Sequence, residues 1–234
     1  MTVKSATPGY TGPALQSRLV DVREFAPGIC IDLIYATTDN FMGEKLYERD
    51  LCLMQADTLE KLLKAQDIFQ RDGYSIKIYD AYRPYAVTVK MAVFPGGGLF
   101  VADPKKGSNH NRGAAVDMTV VDARGHELEM SSVVDTLDAT AYRNSPMSAA
   151  ARRDLDYVEG VMRSCGFVPN RYEWWHYNDS QYARYPILDL ALGDIAMAPA
   201  ESVPRISPPP VVDPAKSGYV SVSPTPLPMP TPTP

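Results

Sequence analysis

Ser108-Asn-His-Asn-Arg-Gly-Ala-Ala-Val-Asp117-Met-Thr-Val-Val121 is the stretch on which the fold turns. It opens polar, passes Gly113 and closes on apolar and β-branched residues, so it reads as a loop, a tight turn and a strand over Ala115–Val121. One carboxylate, Asp117, interrupts that strand. A carboxylate inside an apolar strand needs a partner, because burying an unpaired charge is costly. His110 precedes it by seven residues, and a loop turning at Gly113 can fold the imidazole back beside it. Asp122-Ala-Arg-Gly125 then turns the chain again.

Working outward, Tyr74-Ser-Ile-Lys-Ile-Tyr-Asp80 alternates with a period of two and reads as a second strand. Ile29–Tyr35 and the aromatic Arg171–Tyr177 read as two more. The segment from Asp57 to Asp72 is helical: Leu59, Leu62, Leu63, Gln66 and Phe69 recur at three-to-four spacing, Asp57 suits the N-cap and Gly73 the C′ position. Pro84 opens a helical stretch reaching about Phe94, ahead of the break Gly96-Gly97-Gly98. Ser148 caps a last helix running to about Cys165, its apolar face formed by Leu155, Val158, Val161, Met162 and Cys165. Strands and helices do not alternate strictly, and one strand pair reads as hairpin-joined. The expected class is α+β, a single domain with a central antiparallel sheet flanked by helices.

The chain has 234 residues, 45% hydrophobic and 22% charged, with a net charge of −5. That balance excludes a wholly disordered chain, a collagen and a coiled coil. Lys and Arg form no run, so no nucleic-acid partner is expected. Twelve of the 21 prolines fall between Pro199 and Pro234. The expected organisation is a loose arm over 1–20, a domain over 21–197 and a Pro-rich, disordered, polyproline-like tail over 198–234. The N-terminus lacks the apolar core of a secretory signal, and Ile187–Ala200 is broken by Asp189 and Asp194, so no membrane partner is expected. Cys30, Cys52 and Cys165 are odd in number, form no CxxC pair and sit among apolar neighbours. They read as buried free thiols, which favours a reducing, cytoplasmic setting; a periplasmic one is the alternative if a leader has been removed.

Three histidines are present. His126 lies in the turn Arg124-Gly-His-Glu127 and is expected to be exposed. His110, Asp117 and the His176 of Glu173-Trp-Trp-His176 form a three-ligand set suited to catalytic zinc, with the fourth position left to water. Glu173 is then the natural general base. In an ideal strand Glu173 and His176 point to opposite faces, so the strand must twist or end between them. The competing reading is a Trp-rich core strand with a satisfied histidine and an aspartate occupied elsewhere.

His110-x6-Asp117 followed by Glu173-x-x-His176 resembles the zinc D-alanyl-D-alanine peptidases of the hedgehog-like fold. It is most similar to the D-Ala-D-Ala dipeptidases typified by the VanX proteins of vancomycin resistance. Four blocks carry the likeness: Tyr35-Ala-Thr-Thr-Asp-Asn-Phe41-Met-Gly43, Asp80-Ala-Tyr-Arg-Pro84, Ser108-x-His-x-Arg-Gly-x-Ala-x-Asp117-x-Thr119 and Glu173-Trp-Trp-His-Tyr177. The resemblance spans residues 25 to 190. It implies one zinc per chain on His110, Asp117 and His176, Glu173 as acid and base, and Arg83 polarising the scissile carbonyl. It further implies a substrate site including Ser108, Tyr35 and Asp80, the last also able to orient Arg83. An acid that pairs with the dipeptide's free ammonium is expected after the Asp117 hairpin, at Asp135, with Asp138 as the fallback. The implied substrate is the small dipeptide D-Ala-D-Ala. D,D-carboxypeptidase or L-Ala-D-Glu endopeptidase activity on the same fold, and a non-catalytic zinc-bearing wall-binding module, are the rival readings.

Overall fold

The structure is a computed structural model that describes residues 18–95 and 100–194. The expectations for most of the N-terminal arm, for the Gly96–Gly98 break and for the Pro-rich tail fall outside the described residues. The elements run β1 (Leu19–Asp21), α1 (Val22–Phe25), β2 (Cys30–Ile31), β3 (Leu53–Gln55), α2 (Ala56–Arg71), β4 (Tyr74–Asp80), α3 (Tyr85–Ala92), β5 (Ala115–Asp122), α4 (Ala149–Ser164), β6 (Phe167–Pro169) and β7 (His176–Asp179). Among the described residues, a five-stranded sheet has the order β2-β4-β5-β7-β6, and β1 pairs with β3 in a small separate ribbon. The β4-β5, β5-β7 and β6-β7 pairs are antiparallel, while the short edge strand β2 runs parallel to β4. The class is α+β. No helix among the described residues is long and apolar enough to cross a membrane.

Several local expectations hold to the residue. β4 has the bounds its alternation predicts. Ser148 caps α4, its side chain accepting from the Ala151 N–H. Gly73 and Gly166 follow α2 and α4 with φ of 87° and 91°, where a Cβ would be strained.

Others need correction. Only Cys30 and Ile31 of the run 29–35 pair as a strand; Ile34–Ala36 coils into a 3-10 turn that buries Tyr35. Gln55, without a side-chain cap, precedes α2, and Asp57 lies inside the first turn, where its charge complements the helix N-terminus. Its carboxylate also accepts from the Tyr185 hydroxyl at 3.1 Å. The run 171–177 is not a strand throughout: pairing begins only at His176. Cys52 is buried, but Cys30 is exposed because it sits on the sheet's short edge; all three thiols are free.

The period of two gives the sheet two faces. Ile76 and Ile78 of β4, Val116, Met118 and Val120 of β5 and Tyr177 of β7 join Leu59, Leu62 and Phe69 of α2 and Val158 and Met162 of α4 in one buried cluster. The opposite face of β5 and β7 carries Asp117, His176 and Asn178. Asp117 stands directly across from His176 in the ladder and, on its other side, from Asp80. That last pairing depends on an irregularity between Ile78 and Asp80. Without it Asp80 would share the face of Ile78; the extra residue re-aims its carboxylate to the face of Asp117.

Candidate active site

Three donors converge on that face. His110 Nε2 lies 3.1 Å from His176 Nδ1 and 3.3 Å from Asp117 Oδ1, and His176 Nδ1 lies 2.9 Å from Asp117 Oδ1. Each arrives by a different local device. His110 opens a 3-10 turn closed by Gly113 at φ 64°, Asp117 is an inward residue of β5, and His176 starts β7.

Outer hydrogen bonds fix the two imidazoles. His110 Nδ1 donates to the Ala81 carbonyl at 2.7 Å, which leaves its Nε2 with a lone pair. His176 Nε2 donates at 2.9 Å to Asn178 Oδ1, which also accepts from Asn109 Nδ2 at 2.7 Å. Its Nδ1 therefore also turns a lone pair inward. Two imidazole lone pairs and a carboxylate oxygen facing one another are held together by positive charge between them, either a proton shared with Asp117 or a metal ion. Donors bound at the usual zinc distances in a tetrahedron stand about 3.3 Å apart, close to the triangle here. The N2O set and its outer hydrogen bonds fit zinc, with one direction open to the cavity.

The electrostatics agree. Burial works to raise the Asp117 carboxyl, but the charge and hydrogen bonds of His110 and His176 hold it far below the usual carboxylate range. Burial disfavours a charged His176, yet the hydrogen bond and charge of Asp117 outweigh it and move its pKa up. The pocket concentrates negative charge where a cation belongs.

The open direction leads to a cavity of about 310 Å³ lined by, among others, Tyr35, Arg83, Ser108, Asp135 and Glu173. Glu173 lies in the turn that precedes β7. The chain leaves strand geometry between Glu173 and His176, which resolves the expected conflict of faces and lets both line one cavity. Burial raises the Glu173 carboxyl above its ordinary value, and Asn170 Nδ2 donates to its Oε2 at 2.5 Å.

Arg83 is buried, its Nε and Nη2 donating to Asp80 Oδ2 at 3.0 and 2.6 Å. Burial works against its charge, but the Asp80 carboxylate more than restores it. Asp80 is fully buried, and its other oxygen accepts from the Tyr47 hydroxyl at 2.5 Å. It is not among the residues lining the cavity; its carboxylate is taken up instead by Arg83 and Tyr47.

Tyr35 and Asp135 form the far wall. The Tyr35 hydroxyl donates to Asp135 Oδ1, and the Phe41 N–H to Asp135 Oδ2, each at 2.7 Å. The Arg83 guanidinium lies 4.9 Å from the Tyr35 ring centre. Asp135 has a φ of 66°, a conformation rare for a residue with a side chain and one of those found at functional sites. Burial pushes its carboxyl up to about 6 against the two hydrogen bonds. Asp138, by contrast, is exposed and caps a 3-10 turn through the Thr140 N–H, away from the cavity. Ser108 is half-buried at the rim, its Oγ accepting from the His110 N–H at 3.2 Å. His126 is exposed in its turn, as expected.

The sequence motifs did not single out Asn109, Asn170 and Asn178, which line the cavity; Asn170 bonds Glu173, Asn178 bonds His176 and Asn109 bonds Asn178. Their signal was only proximity to the motifs.

The family model described as D-ala-D-ala dipeptidase matches residues 15–191. The chain belongs to this family. The Escherichia coli D-alanyl-D-alanine dipeptidase is 35% identical over 173 residues, covering 74% of this chain and 90% of the relative. The Enterococcus faecium D-alanyl-D-alanine dipeptidase is 28% identical over 179 residues, covering 66% and 87%. A solved structure of VanYB in complex with D-alanine-D-alanine is 15% identical with a TM-score of 0.35, covering 57% of this chain and 75% of that one. All four blocks quoted from the sequence fall inside the span matched to the dipeptidase family.

Proposed function

We propose that the chain is a zinc metallopeptidase that hydrolyses D-Ala-D-Ala to two D-alanines. The observation that carries this reading is the juxtaposition, in one small cavity, of a three-donor face with Glu173, Arg83 and Asp135. Binding alone needs neither a raised carboxyl beside the donors nor a clamped guanidinium, which favours chemistry over a wall-binding role.

Bound on His110, Asp117 and His176, zinc supplies a water of lowered pKa and a Lewis acid for the carbonyl. Glu173 takes a proton from the attacking water and returns it to the departing amine; its raised pKa suits both halves of that transfer. Arg83, immobilised by Asp80, offers fixed positive charge to the oxygen that becomes negative, so little reorganisation is needed as charge develops. Asp135 receives the substrate's ammonium, and the Ser108 hydroxyl donates to its terminal carboxylate. An acylated nitrogen carries no charge and would leave Asp135 unpaired, which selects free dipeptides over longer peptides. Such an activity removes or recycles a cell-wall precursor dipeptide. Three free thiols, one of them exposed, favour a reducing, cytoplasmic setting.

The test is alanine release by the purified full chain from D-Ala-D-Ala and from its N-acetylated form, with zinc and with a chelator. Zinc-dependent cleavage of the free dipeptide alone is expected. No release from it sinks the enzyme reading, and equal cleavage of the acetylated form points to a carboxypeptidase instead.

A further inference from the structure

Arg143 lies outside the cavity and outside every motif block, yet its guanidinium is buried and almost fully committed. Its Nε donates to the Asn170 carbonyl at 2.6 Å and its Nη2 to the His176 carbonyl at 3.0 Å. Nη1 reaches the Tyr177 hydroxyl at 3.1 Å and Glu159 Oε2 at 3.2 Å, and the guanidinium lies 4.4 Å from the Tyr177 ring centre. The backbone adds a tie, the Arg143 N–H donating to the Arg171 carbonyl at 3.2 Å.

One planar group therefore grips both ends of the turn 170–176. Glu173 sits at its middle. The ends are also joined by the Asn170 N–H donating to the His176 carbonyl at 2.9 Å. From the first end, the Asn170 side chain reaches in to donate to Glu173 Oε2 at 2.5 Å. The separation of the ends and the aim of Asn170 set where Glu173 stands relative to His176. The planar fork fixes the directions of its donors and so sets the spacing of the two carbonyls, whereas the donors of an ammonium rotate and impose no such spacing.

We infer that Arg143 is a positioning residue for catalysis, acting through Asn170 to hold Glu173 in register with the donor face. This rests on the proposed hydrolysis, in which Glu173 is the proton carrier. A misplacement of the base by about 1 Å costs on the order of 10²-fold in rate.

The experiment compares Arg143→Lys and Asn170→Ala with the wild type, each also in a Glu173→Gln background. Zinc content, kcat and KM on D-Ala-D-Ala are measured, along with the near-UV circular dichroism of Trp174 and Trp175. These are the chain's two tryptophans, both buried within this turn with rings 5.3 Å apart. The expected result for Arg143→Lys is a kcat lowered about 10- to 100-fold, with KM changed less than about twofold. One zinc per chain is retained, and the tryptophan band is altered. In the Glu173→Gln background the same change costs less than about twofold, because the base it positions is gone. Asn170→Ala, which leaves the Arg143 grip intact, gives the same kinetic pattern and decides the matter if the lysine variant does not fold. An unchanged kcat, a loss carried in KM or in zinc content, or an equal loss in the Glu173→Gln background overturns the inference. If the wild type releases no alanine, the proposed hydrolysis fails on its own; an unchanged tryptophan band in Arg143→Lys then overturns the positioning as well.

Discussion

Two buried clusters lie among the described residues, and they are built differently. The one between the sheet and helices α2 and α4 is aliphatic, with Leu59, Leu62, Ile76, Ile78, Val116, Met118 and Val120 at its centre. The other gathers around the site, and six of its twelve buried members are tyrosine or tryptophan. The aliphatic cluster works by area and volume alone, without direction. The aromatic one contributes apolar bodies whose polar ends are aimed. Tyr47 ends on Asp80, Tyr35 on Asp135, and the Trp174 indole donates to Ser132 at 3.1 Å. Tyr35 and Tyr47 thus bury area at one end and fix a carboxylate at or beneath the site at the other. The aliphatic cluster contributes stability without positioning, whereas the aromatic one couples the two.

That division can be broken by experiment. The largest effect is expected from Glu173→Gln, which keeps the shape of the turn while removing the proton carrier: kcat should fall about 10²- to 10⁴-fold with the melting temperature little changed. A large loss of stability in that variant would show that the two regions are not separable. Leu62→Ala tests the other side. It should cost about 2–5 kcal/mol in urea unfolding, while kcat of the folded protein stays at the wild-type value. A parallel loss of kcat would mean that helix packing reaches the site.

Asp135→Asn gives a smaller and pH-dependent effect. The folded carboxyl sits at about 6 against an ordinary 3.8, so between those values the native state binds more protons than the unfolded chain. Stability from this group is therefore greatest at low pH and falls as pH rises from about 4 to about 6. The asparagine variant should lose that slope and be relatively more stable at neutral pH. Its KM for the dipeptide should rise about tenfold, because an amide cannot neutralise an ammonium. In the wild type KM should rise as pH drops below about 6, as Asp135 is protonated; a KM flat across that range would remove Asp135 from substrate recognition.

Much of this was legible in the sequence because it is local. The alternation of Tyr74–Asp80, the Ser148 cap and the loop-to-strand passage from His110 to Asp117 each depend on neighbours within ten residues. Glu173 and His176 announce themselves as an unusual pair in an aromatic setting. What stayed hidden is long-range. The parallel pairing of Cys30 and Ile31 with β4 depends on chain returning from elsewhere, and two residues carry too little pattern to declare it. The irregularity before Asp80 leaves no mark in the alternation itself, yet it decides which face that carboxylate takes. Asn170, Asn178 and Arg143 are single polar residues whose role comes only from what the fold brings to them.

The row Asp80–Asp117–His176 across three neighbouring strands has a consequence for how the sheet assembles. A slip of one residue between β5 and β7 would send His176 or Asp117 to the helix side and leave no three-donor face. A metal ion that binds only where all three donors meet therefore favours a single pairing and adds nothing to its near neighbours. The ion would also tie residue 117 to residue 176, closing a long loop as a cross-link does. Beyond its part in chemistry, the site acts as a proofreader of strand register.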